Sequence, residues 1–226
     1  MRLGLLGGSF NPIHRCHLSI AHNAQQLLQL DRVLFIPTGD PPHKGPGTLA
    51  ASRHRYRMVQ LAIESIPEFA VTDLEIRRPG KSYSIDSVRA IRQEYGPDYA
   101  IFFIIGLDAF LDLPSWKDAE ALFNICHFVV ISRPSSSFGA VASLPYFQAI
   151  PAHTLADLDS APQGRADVAP VDGRMVTFLR LPPCNVSASE IRKRAQTGLP
   201  LANLLPAPVV SYILREGLYR EDSDRT

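Results

Sequence analysis

Two histidines, His14 and His17, close a glycine-bearing loop that reads Gly7-Gly8-Ser9-Phe10-Asn11-Pro12-Ile13-His14-Arg15-Cys16-His17. A neutral imidazole donates a hydrogen bond and a protonated one adds charge, so two of them three residues apart suit a phosphate group. Gly7 and Gly8 let backbone N–H groups approach such an anion, and a helix starting after the loop favours negative charge at its N-terminus. A plain glycine turn with one surface histidine and one satisfied histidine accounts for the same residues, so the loop alone does not decide. Its spacing is neither GxGxxG nor GxxxxGK[ST], which disfavours a dinucleotide fingerprint or a P-loop. A zinc site of His14, Cys16 and His17 lacks a fourth ligand. Cys16 has no separate base to activate it and is expected to be buried as a small apolar residue.

A second cluster lies far along the chain, in Asn185-Val186-Ser187-Ala188-Ser189-Glu190-Ile191-Arg192. Ser187 reads as a helix N-cap, Ser189 falls in the first turn, and Arg192 follows one turn later. Two hydroxyls and a guanidinium at a helix N-terminus make a site for phosphates. Taken alone this is an ordinary capped helix with an arginine in solvent; paired with the first loop, the anion site is the better reading. Gly106-Leu107-Asp108 follows an apolar run, where a carboxylate accepts hydrogen bonds from ribose hydroxyls and the glycine leaves room; an aspartate opening a helix is the plain alternative.

These residues need a frame that brings distant segments to one edge. Apolar runs at 3–6, 32–36, 69–76, 99–105, 127–132 and 175–181 read as strands. Between them, 18–30, a segment N-capped by Ser52, 85–95 and 119–125 read as helices, with 187–196 and 206–216 as two terminal ones, the last ended by Gly217. Strands alternating with helices predict an α/β fold, a Rossmann-like doubly wound parallel sheet with a small C-terminal helical part. The fourth strand should lie beside the first. Residues 38–51 read as a loop, and 134–173 as an irregular insertion with one short helix at 144–150. We expect a single domain over 1–226, with 187–226 as its helical portion.

The 226 residues are 46% hydrophobic and 20% charged, with a formal charge of +1, which describes a globular protein without global attraction for nucleic acid or membrane. No apolar run is long enough to span a bilayer, and the start is too short for a signal peptide. Three cysteines, odd in number and widely spaced, fit a reducing compartment with no disulfide framework, hence the cytoplasm. Cys126 and Cys184 read as packing residues. The basic run Arg53, His54, Arg55 and Arg57 reads mostly as a solvated helix face.

The first loop resembles the signature of the HxGH nucleotidyltransferase superfamily, GG[ST]F[DN]PxHxGHL, departing from it at Cys16, where glycine is usual. The 185–192 segment resembles that superfamily's ISSTxIR motif, and Gly106-Leu107-Asp108 its Gly-x-Asp. Pro41-Pro42-His43-Lys44, Lys81-Ser82-Tyr83-Ser84, Trp116, Leu205-Pro206, Tyr212-Ile213 and Gly217-Leu218-Tyr219 resemble elements of bacterial nicotinate-nucleotide adenylyltransferases. The resemblance covers nearly the whole chain and is weak over 135–174. It implies catalytic contacts from His14 and His17, and ATP contacts from Gly8, Ser9, Phe10, Gly106, Asp108, Ser187, Ser189 and Arg192. It further implies that Lys44, Ser84 and Trp116 line the mononucleotide site. Their plain alternatives are a solvated lysine, a helix-capping serine and a core tryptophan. The implied reaction is adenylyl transfer from ATP to nicotinic acid mononucleotide, with Mg²⁺ carried on the phosphates rather than in a protein cage. Transfer to nicotinamide mononucleotide or phosphopantetheine, and a non-catalytic nucleotide-binding regulator, stand as alternatives. No nucleic-acid or membrane partner is expected, and a homo-oligomer is admitted.

Overall fold

The computed structural model describes residues 1–41, 49–133, 136–148, 151–169 and 175–220. The chain runs β1 (Arg2–Gly8), α1 (Arg15–Leu28), β2 (Arg32–Pro37), α2 (Ser52–Ile63), β3 (Phe69–Val71), α3 (Leu74–Arg77) and α4 (Ser84–Tyr95). It continues with β4 (Ala100–Gly106), α5 (Leu107–Leu111), α6 (Ala119–Ile125), β5 (His127–Ile131), α7 (Ala152–Ser160), β6 (Gly164–Val168), β7 (Val176–Arg180), α8 (Ala188–Gln196) and α9 (Ala207–Arg215). The strands form one sheet in the order β3-β2-β1-β4-β5-β7-β6. β1 pairs in parallel with β4, with Leu5 opposite Phe103; β4 pairs likewise with β5, and β5 with β7. Only β6 is shown running antiparallel, against β7. This is the α/β, mostly parallel architecture that the alternation of strands and helices predicts.

Packing divides the chain into two compact units. The first holds Met1–Gly7, Ile20–Leu34 and Tyr83–Pro183. Its central strand β4 reads AIFFIIG and is buried from Ile101 to Ile105, the unbroken apolar pattern of a strand covered on both faces. Beneath it the Phe110 ring packs on Phe123, Phe128, Phe147 and Phe178, with centroids 6.5, 5.5, 5.7 and 5.8 Å away. Such edge-on pairs suit the aromatic quadrupole and add to the area they bury.

The second unit holds Gly8–Ser19, Phe35–Ser82 and Cys184–Thr226. Its core is the apolar stripe of α2 together with Val209, Tyr212 and Ile213 of α9. His54 Nδ1 and the Tyr212 hydroxyl are 2.8 Å apart.

Three local expectations are corrected. The strand expected over 69–76 stops at Val71, and α3 follows it. The Thr72 hydroxyl accepts from Leu74 N–H at 3.2 Å, and Asp73 pairs with Arg77 at 2.8 Å, so two polar residues turn the chain where apolar content alone suggested extension. The described part of 134–173 is not irregular: it contains α7, the edge strand β6 and two short 3₁₀ turns, Phe138–Ser143 and Pro145–Phe147, the second within the short helix expected at 144–150. Asp159 organises it, accepting from Phe138 N–H at 2.9 Å and Gly139 N–H at 3.1 Å. Finally, Ser52 is the first residue of α2; the N-cap is Ala51, without a side-chain cap.

Candidate active site

In the second unit the signature loop leaves β1 and enters α1. Phe10 takes a left-handed backbone, φ 43°, and its buried ring meets His17 edge-on with centroids 5.1 Å apart. The two imidazoles lie 3.8 Å apart, tilted by 31°. The backbone N–H of His14 donates to His17 Nδ1 at 3.2 Å. A main-chain N–H can only donate, so Nδ1 is the acceptor nitrogen, and the proton of the neutral ring sits on Nε2. One backbone bond thereby turns His17 into a donor of defined direction. The His17 and Leu18 N–H groups are already taken by the His14 carbonyl, at 2.9 and 3.4 Å.

Asn11 ties this loop to the C-terminal segment. It is 3% exposed; its backbone carbonyl accepts from Arg192 Nη1 at 2.9 Å. Its side-chain oxygen accepts from Ala50 N–H at 3.1 Å and from the Tyr219 hydroxyl at 2.9 Å. Ser187 is the N-cap of α8, as expected, its hydroxyl accepting from Glu190 N–H at 3.2 Å. Ser187 and Ser189 are exposed and Arg192 is half-buried. His14, His17, Gly8, Ser9, Phe10, Ser187, Ser189 and Arg192 thus all belong to one unit. Their imidazoles, guanidinium and hydroxyls, with the N-terminal end of α8, form a donor-rich set.

Two residues beside this set, Arg55 of the basic run and Tyr219 of the family-like Gly217-Leu218-Tyr219, were given no site role by the sequence. Arg55 is 1% exposed and donates to three backbone carbonyls: Ala50 at 2.9 Å, Ser9 at 2.9 Å and Gly39 at 3.3 Å. Burial pulls its pKa below the usual arginine value, partly countered by Tyr219 and Glu75. The basic run is therefore not all solvated. The signal was present: Arg55 stands at i of the stripe Met58, Val59, Ala62 and Ile63, on the helix's apolar face. Gly39 must be glycine, because a Cβ there would fall 2.1 Å from the Glu75 carbonyl oxygen. The second residue is Tyr219, whose hydroxyl burial keeps protonated far above the ordinary range, against the opposing pull of Arg192 and Arg55. Its hydroxyl is the donor to Asn11.

Gly106, Asp108, Trp116 and Ser84 lie in the first unit. Gly106 ends β4, and a Cβ on it would strike Asp108 Oδ1 at 2.5 Å and Arg133 Nε at 2.6 Å. Asp108 stands in the first turn of α5 and pairs with Arg133 at 3.4 Å, both side chains well exposed. Trp116 is half-buried, edge-on to Phe103 at 6.3 Å. Ser84 opens α4 but does not cap it; Tyr83 is the N-cap, with no side-chain cap bond. Lys44 lies outside the described residues.

The cytidylyltransferase-like family model matches residues 5–194, which include both motifs. A probable nicotinate-nucleotide adenylyltransferase of Geobacter metallireducens is 41% identical over 98% of this chain and 100% of its own. One from Geotalea daltonii is 41% identical over 98% and 99%. The chain belongs to the nicotinate-nucleotide adenylyltransferase family. The family's fold is also seen at low identity: a Plasmodium falciparum nicotinic acid mononucleotide adenylyltransferase complexed with NaAD superposes with TM-score 0.70 at 18% identity, over 96% of this chain and 97% of that one.

For Cys16 and Cys184 the structure corrects the expectation of packing residues and no disulfide. Cys16 is not merely packed; it is bonded to Cys184 with Cα atoms 5.7 Å apart. Cys126 alone fits the packing role, buried with its thiol 3.3 Å from the Leu122 carbonyl.

Proposed function

We propose that the protein transfers the adenylyl group of ATP to nicotinic acid mononucleotide, releasing pyrophosphate and forming nicotinic acid adenine dinucleotide in NAD biosynthesis. The observation that carries this reading is the His14–His17 pair, with the His17 proton directed to Nε2 by the His14 N–H. Full-length likeness to nicotinate-nucleotide adenylyltransferases supports the acceptor.

In this reading a phosphate oxygen of the mononucleotide attacks the α-phosphorus of ATP, and the bond from that phosphorus to the bridging oxygen of the β-phosphate breaks. The nucleophile comes from the substrate, so no covalent enzyme intermediate is required. The protein's work is alignment and neutralisation of charge. His14 and His17 donate to the phosphates, with Gly8, Ser9 and Phe10 shaping the loop around them. Ser187, Ser189 and Arg192 hold the β- and γ-phosphates at the start of α8. Asp108 accepts from ribose hydroxyls beside Gly106. Lys44, Ser84 and Trp116 receive the mononucleotide, Trp116 fixing the plane of the pyridine ring.

Mg²⁺ takes oxygen ligands, and among the described residues no group of three His, Cys, Asp or Glu side chains is placed to hold a metal. In this reading the ion would ride on phosphate oxygens and water, offsetting leaving-group charge. Among the described residues no helix is long and apolar enough to cross a membrane, and we place the enzyme in the cytoplasm, working as one domain over 1–226. Incubation with Mg-ATP and nicotinic acid mononucleotide should yield dinucleotide and pyrophosphate in equal amounts by chromatography. Absence of dinucleotide with every mononucleotide offered would overturn the reading.

A further inference from the structure

The disulfide joins positions 168 residues apart; one end lies inside the first motif and the other directly precedes the second. Cys16 is the second residue of α1, between His14 and His17, and Cys184 stands three residues before Ser187, the α8 N-cap. A covalent bond therefore cross-links the two segments assigned above to the phosphates of ATP.

The two ends differ in access. Cys16 is 5% exposed, whereas Cys184 is exposed in a stretch, 181–187, without regular secondary structure. Thiol–disulfide exchange needs a thiolate to reach one sulfur, and exposed disulfides are the exchangeable ones. The Val186 carbonyl lies 3.6 Å from Cys16 Sγ and would accept the proton of a released thiol.

We propose that Cys16 and Cys184 form a reversible thiol–disulfide site, with a dithiol as its co-reactant, whose oxidation state sets the affinity for the ATP phosphates. A thiolate of the dithiol attacks Cys184 Sγ; the protein S–S bond breaks, and Cys16 leaves as a thiolate and takes up a proton. The second thiol of the reductant then attacks the mixed disulfide, releasing Cys184, which is protonated in turn. Two electrons and two protons pass to the protein, and the reductant departs as its own disulfide. In the oxidised form the approach to Ser187 is pinned to the signature loop. After reduction the Arg192 bond to Asn11 and the Arg15 N–H bond to the Leu204 carbonyl remain, but 181–187 regains freedom that bound ATP must remove. Ordering one such segment weakens binding by about three- to tenfold.

The effect on ATP rests on the adenylyl-transfer reading; the exchange chemistry does not. The protein is equilibrated with oxidised or reduced dithiothreitol, a portion is denatured and alkylated, and ATP binding to the native remainder is measured by calorimetry. Only Cys126 should be alkylated in the oxidised form and all three cysteines in the reduced one. The reduced form should bind ATP about three- to tenfold more weakly. Cys184→Ser should bind as the reduced form does under both conditions. Three alkylated cysteines after oxidation would overturn the exchange site, and equal affinity of the two forms would overturn the control. Absence of ATP binding in either form would overturn the adenylyl-transfer reading and the control together, while alkylation still decides the exchange site.

Discussion

Arg55→Met should destabilise the protein by about 3–5 kcal/mol. Methionine restores most of the volume and none of the donors. The guanidinium makes two bonds at 2.9 Å and one at 3.3 Å, all to main-chain carbonyls, and hydrogen bonds to a charged group are worth about 1.5–3 kcal/mol each. The weakest counts little, and relief of the buried charge offsets part of the loss, since burial already depresses the arginine's pKa. What remains is the cost of leaving the Ser9 and Ala50 carbonyls without their donor. For a chain of this length about 2–4 °C of melting temperature is lost per kcal/mol, so the midpoint should fall by roughly 6–20 °C. The assay is thermal and urea unfolding followed by circular dichroism. Arg55→Lys should recover only part of the loss, because an ammonium cannot fork to three carbonyls in the guanidinium plane. Unfolding of Arg55→Met within about 1 kcal/mol of the parent chain, a typical surface substitution, would refute the reasoning.

Tyr219→Phe removes the hydroxyl donated to Asn11 while keeping the ring; one neutral hydrogen bond implies kcat/KM lower by about three- to tenfold, and unchanged steady-state kinetics would contradict it. Burial works to raise the Asp159 pKa, but bonds from Ser137, Phe138 and Gly139 and the charge of Arg180 outweigh it and hold the carboxyl below its usual value. A depressed pKa contributes stability that is present above the unfolded value of about 3.9 and lost as pH falls through the folded value. Asp159→Asn should therefore lower stability at neutral pH and flatten the acid limb of the urea midpoint below about pH 4; an unchanged acid limb would count against it. Donors at Ser84 suit a carboxylate and leave a carboxamide NH₂ facing donors, so nicotinic acid mononucleotide should exceed nicotinamide mononucleotide in kcat/KM by roughly tenfold to a hundredfold. Trp116→Ala should impair both, and equal use of the two acceptors would show that these donors are misplaced.

Much of the frame was legible because its signals are local. β4 is an unbroken apolar run, α6 has the bounds that its spacing predicts, and Ser187 caps α8 as its type and position require. Where local signals compete, the reading slipped. Residues 72–73 turn the chain through a threonine hydroxyl, and β6 alternates too weakly, as GRADV on a sheet edge, to stand out from a loop. Among the candidate site residues, the histidines and the Ser187–Arg192 cluster could be nominated by type and spacing, and the family resemblance gave them their proposed roles. Arg55 was visible only by its place on the α2 stripe, since charge argued the other way. The Cys16–Cys184 bond depends on tertiary approach across 168 residues, and nothing in cysteine count or spacing announces it. Tyr219 acts through a single long-range bond to Asn11, again a property of the fold.

The central claim is that the imidazole pair of the first loop carries adenylyl transfer. Its most direct test is the turnover of His17→Ala on Mg-ATP and nicotinic acid mononucleotide, with folding checked by circular dichroism. Loss of a donor aimed at developing charge predicts kcat lower by about 10²–10³-fold with the fold intact. Turnover near that of the parent chain would contradict the account.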